Sequence, residues 1–100
     1  MAPVSLDASI SIPDDVIFRE LEGEAIILNL ATGTYFGLDE VGTRVWMLLT
    51  ESSSIRRVID VMVGEYEVES AELERDVLEL VSQLSDKGLV KLRSPAESGS

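Results

Sequence analysis

The side chains of this chain that could do chemistry are almost all carboxylates. Its 100 residues hold 19 Asp and Glu against 8 Lys and Arg, with no histidine and no cysteine. Without cysteine there is no thiolate nucleophile and no disulfide, which suits a reducing cytosol. Without histidine the commonest general base, the commonest metal ligand and the usual nucleophile triads disappear together. What remains is a set such as Glu72, Asp76 and Glu79, which lie within helical reach of one another and could hold a hard cation. No calcium-loop spacing accompanies them. They read as a solvated acidic face, so no catalytic residue, metal or cofactor is assigned. The chain reads as a binding protein, not an enzyme.

The formal charge of −11 narrows the partner. A polyanion would be repelled, which argues against nucleic acid and anionic membranes and favours a basic or apolar partner. The opening residues Met1 to Asp7 lack the basic and apolar regions of a signal peptide. The longest apolar run is far too short to cross a bilayer. A soluble, cytoplasmic protein is expected.

Three strands and three helices must position whatever binds. Val16 to Leu21 reads as a first strand and Glu22 to Glu24 as its turn. Ala25 to Leu30 is the second, where Leu28 and Leu30 alternate with Asn29 in the period of a strand with one buried face. Ala31-Thr32-Gly33 is a tight connection, Gly33 being free to take positive φ. Thr34-Tyr35-Phe36-Gly37-Leu38 returns as the third strand. Asp39 then caps a helix with Val41, Val45, Leu48 and Leu49 on its apolar face, Trp46 in the core and Gly42 permitting close packing. Ser52 to Ser54 caps a second helix that ends at Gly64, and Ser70 opens a third in a capping-box pattern. Leu73, Val77, Leu80, Val81 and Leu84 form the stripe of that third helix. Ile10 and Ile12 suggest a short edge segment, and Leu89 to Leu92 a short final strand. The expected fold is α+β and winged helix-turn-helix-like: a three-stranded antiparallel sheet followed by three helices. Residues 1–13 are expected to form a flexible N-terminal segment, 14–93 the domain, and 94–100 a disordered tail.

A helix-turn-helix invites a DNA-binding reading, which the charges oppose. Between Glu65 and Asp86 stand Glu67, Glu69, Glu72, Glu74, Asp76 and Glu79, with only Arg75 as a base. Such a helix meets a phosphate backbone with like charge. The strand edge is the stronger clue. Thr34 to Leu38 carries no Lys, Pro or charge, so at a sheet edge it would be unguarded. Tyr35 and Gly37 share one face of it, and a missing side chain at Gly37 lets another backbone come close. An open edge beside an apolar helix is the geometry of β-augmentation.

Two stretches, GEAIILNLATGTYFGLDEVGTRVWMLL and YEVESAELERDVLELVSQLSDKGLV, in this strand-first order resemble the PqqD-like family of RiPP recognition elements. RiPPs are ribosomally made, post-translationally modified peptides. The resemblance covers about residues 14–92, through Thr-Gly-x-Tyr-Phe-Gly-Leu-Asp, Gly-x-x-x-Trp, Asp76 and a closing Gly-Leu-Val. It implies a non-catalytic peptide chaperone that takes a precursor's leader as an added strand and presents it to modifying enzymes. The implied peptide-binding residues are Leu30, Thr34, Tyr35, Phe36, Gly37 and Leu38, facing Leu73, Asp76, Val77, Leu80 and Val81 on the third helix. The Tyr-Phe-Gly-Leu-Asp form is most similar to the stand-alone proteins of lasso-peptide clusters, whose partners are a leader peptidase and then a cyclase. The alternatives are a chaperone for a radical enzyme in pyrroloquinoline quinone synthesis, or a winged-helix protein-interaction module that does not bind DNA.

Overall fold

The apolar alternation between Val16 and Leu38 becomes an antiparallel meander in the computed structural model, which describes residues 6–93. The elements in chain order are β1 (Ser9–Ser11), β2 (Val16–Leu21), β3 (Glu24–Asn29), β4 (Tyr35–Leu38), α1 (Glu40–Ser52), α2 (Ile55–Glu65), α3 (Ser70–Asp86) and β5 (Lys91–Arg93). The sheet order β2-β3-β4 leaves β4 at an edge. A three-stranded antiparallel sheet followed by three helices, arranged like a winged helix, is therefore the fold.

The strand period is as expected, but its phase in β3 is inverted. Ala25, Ile27 and Asn29 face the core, while Ile26 and Leu30 are 58% and 59% exposed and Leu28 is half-buried. The reason lies in Asn29, whose polar atoms are all employed. Its Nδ2 donates to the Gly88 carbonyl at 2.9 Å, and its Oδ1 accepts from the backbone N–H groups of Ala31 (2.9 Å) and Thr32 (3.3 Å). Gly33 closes that turn with φ 77°, and its N–H donates to the Asn29 carbonyl. A buried amide satisfied in this way costs little and fastens the β3–β4 turn to the corner after α3.

The helices start where their caps allow. Asp39 accepts from the Gly42 N–H at 2.8 Å, and Ser54 from the Arg57 N–H at 3.2 Å. Ser70 does not cap α3. Glu69 holds the cap position without a side-chain bond, and Ser70 is already helical. Residue 73 is a leucine, so the reciprocal half of the box has no acceptor. Leu73, Val77, Val81 and Leu84 of α3 are buried, each contributing about 1.5–3 kcal/mol relative to exposure. They pack with Trp46, Leu49, Ile55, Val58 and Met62 of α1 and α2 in one core. Trp46 also meets Phe18 edge-on, with ring centroids 6.2 Å apart.

The segment read as a loose N-terminus contains β1, which pairs antiparallel with β5 (Ile10 opposite Leu92). Ala8 and Ile10 are buried in the core. The short edge segment and the final strand thus form a second, two-stranded sheet. Residues 94–100, read as a tail, lie outside the described residues.

Candidate functional site

The edge strand β4 has two chemically different sides, set by the hydrogen-bond alternation of an antiparallel pair. The Asn29 N–H donates to the Thr34 carbonyl at 2.9 Å, and the register continues as Leu28–Tyr35, Ile27–Phe36, Ile26–Gly37 and Ala25–Leu38. Bonding pairs alternate along such a ladder. Phe36 and Leu38 therefore turn their N–H and C=O towards β3, while those of Tyr35 and Gly37 point away from the sheet. That outward row is a template for one more strand.

Beside the edge runs a groove of about 550 Å³. One wall is Phe36, Gly37, Leu38 and Asp39; the floor is Val41, Gly42 and Val45 of α1; the far wall is Leu73, Asp76, Val77 and Leu80 of α3. Gly42 is what lets α1 lie so close. A β-carbon there would stand 3.1 Å from Leu38 Cδ2 and 3.3 Å from Asp39 Oδ1. The lining is mostly apolar, with two carboxylates, Asp39 and Asp76. Beyond it, Lys87 places its ammonium 5.8 Å from the centre of the Phe36 ring, a cation–π arrangement that occupies one face of that ring. Among the described residues no group of three or more His, Cys, Asp or Glu is placed to hold a metal ion. No helix among the described residues is long and apolar enough to cross a membrane.

Of the residues singled out from the sequence, seven share this groove: Phe36, Gly37, Leu38, Leu73, Asp76, Val77 and Leu80. Four do not. Tyr35 is 70% exposed on the opposite face of the sheet, and Leu30 is equally outward, just past the end of β3. Thr34 lies in the turn before β4, its N–H donating to Thr32 Oγ1. Val81 is fully buried behind the groove wall. From the sequence, the floor residues Val41, Gly42 and Val45 read as helix packing and not as site. Their helical spacing gives no separate signal, because it is the same whether they face a core or a groove.

Three comparisons bear on the chain. The family model described as coenzyme PQQ synthesis protein D (PqqD) matches residues 24–90. No curated protein sequence matches. Among solved structures, TbiB1 in complex with the TbiA(beta) leader peptide is 39% identical with TM-score 0.76, over 80% of this chain and 93% of TbiB1. A lasso peptide synthetase B1 complexed with its leader peptide is 23% identical with TM-score 0.74, over 82% of this chain and 96% of the other, and shares the fold.

Proposed function

The chain belongs to the PqqD family, and we propose on that premise that it binds the leader of a ribosomal precursor peptide as a fourth strand on β4. The observation that carries this reading is the outward-facing backbone of Tyr35 and Gly37 beside the groove walled by α3. Backbone hydrogen bonds to the edge supply adhesion, and alternate leader side chains enter the groove and supply selectivity. The role is non-catalytic. The bound leader is held for modifying enzymes in the cytoplasm, and the Tyr35-Phe36-Gly37-Leu38-Asp39 form, similar to the stand-alone proteins of lasso-peptide clusters, favours a leader peptidase followed by a lasso cyclase. The description of the matching family model supports a second reading, presentation to a radical enzyme in pyrroloquinoline quinone synthesis. The Tyr-Phe-Gly-Leu-Asp form of β4 ranks it second.

Calorimetric titration with the TbiA(beta) leader and with a scrambled peptide of the same composition tests leader binding. The expected result is saturable binding of the leader alone near the micromolar range, about −8 kcal/mol. Equal heats from both peptides, or none from the leader, overturn the proposal.

A further inference from the structure

Strand addition on β4 gives the incoming peptide two faces, and only one of them meets the groove. A peptide residue paired with Gly37 must project on the same side of the sheet as Gly37, while its two neighbours project into the groove. On Gly37's side there is a second open cleft, about 640 Å³, which shares Gly37, Leu38 and Asp39 with the groove. The two clefts meet at this one strand edge.

The chemistry of the second cleft is not that of the first. A β-carbon on Gly37 would meet nothing within 4 Å, so the edge is notched where the peptide would cross it. Past the notch the floor is Ile26 and Leu21, 58% and 77% exposed, apolar surface that nothing among the described residues covers. The rim carries Glu20, Glu22, Glu24 and Asp39 against a single cation, Arg19. By register Arg19 lies across Ile26 from Gly37, on the far strand. An acidic side chain would be repelled here, and a short apolar one would leave the rim unmatched. A long amphipathic cation fits both parts, its stem on the apolar floor and its head in water among carboxylates.

We propose that this recess is a specificity subsite for a lysine or arginine of the added strand, the residue paired with Gly37, whose stem lies on Ile26 and Leu21 and whose head meets Glu22 and Glu24. The inference rests on the strand-addition reading above. It turns that reading into a sequence rule: a basic residue flanked on both sides by groove-filling apolar ones.

The test is a scan of the TbiA(beta) leader in which each residue in turn is replaced by Lys and, separately, by Gln. Affinities are measured against the intact chain and its Glu22→Gln/Glu24→Gln variant. One position should prefer Lys over Gln by about fivefold at low salt, as two exposed ion pairs allow. In the double variant that preference should fall below about twofold, since the attraction has been removed. Gly37→Val should erase it by filling the notch. A preference spread evenly over all positions, or one that survives the double substitution, overturns the subsite while leaving strand addition standing. Failure of the leader and of every scanned peptide to bind overturns both.

Discussion

Gly37 separates folding from binding more cleanly than any other residue of the groove. A β-carbon there meets nothing within 4 Å, and no positive φ demands glycine. Gly37→Val should therefore leave the melting temperature unchanged or raise it, because a β-branched residue suits a strand. Leader affinity should fall in the same protein. A parallel loss of both would mean that Gly37 only serves the fold. Asp76 and Leu80 divide the work on the opposite wall. Asp76 is exposed at the groove and Leu80 is half-buried. Asp76→Asn should slow association with a basic leader and flatten its salt dependence, because exposed charges act on encounter more than on residence. Leu80→Ala should chiefly speed dissociation. Stopped-flow binding at low and high salt checks both; an unchanged salt dependence in Asp76→Asn would leave the acidic face a matter of solubility.

At the scale of elements, the groove depends on fastenings that lie away from it. Asn29 holds the β3–β4 turn to Gly88 and bonds the turn's own backbone. Asn29→Ala strands those groups and should cost about 1–3 kcal/mol in denaturant unfolding. Arg44 reaches from α1 to Glu65 at the end of α2, its Nε donating to Glu65 Oε1 at 2.8 Å. That hydrogen bond holds the Glu65 carboxyl below the usual glutamate range. With the folded value below the unfolded one, the pair's contribution is fully present above the unfolded value and lost as pH falls through the folded one. Melting temperature should therefore fall more steeply with acid below about pH 4.5 in the parent than in Glu65→Gln. Identical acid profiles would show the pair to be without effect.

These fastenings also mark how far the sequence could be read. Helix caps at Asp39 and Ser54, the edge position of β4 and the apolar stripe of α3 follow from local spacing, and all are legible. The phase of β3 is not, because a buried asparagine is tolerated only through a partner 59 positions away, Gly88. The pairing of β1 with β5 is illegible for the same reason: each is three residues long and stabilised by a strand at the far end of the chain. Within the site, the walls were readable from β4 and α3. The floor was not, since Val41 and Val45 have the same helical spacing whether they face a core or a groove.

For the molecule as a whole, a formal charge of −11 and an open strand edge have one joint consequence. Net repulsion between copies disfavours edge-to-edge pairing with itself, and the same field favours a basic peptide. The outer edge of β4 can thus stay open although its inner edge is paired with β3. Amide hydrogen exchange, residue by residue, with and without saturating TbiA(beta) leader tests this most directly. The N–H groups of Phe36 and Leu38 bond to β3 and should be protected in both states. Those of Tyr35 and Gly37 should exchange quickly in the free chain and slow markedly on binding. If the leader binds while Tyr35 and Gly37 exchange as fast as before, the peptide does not add to this edge, and the central claim is wrong.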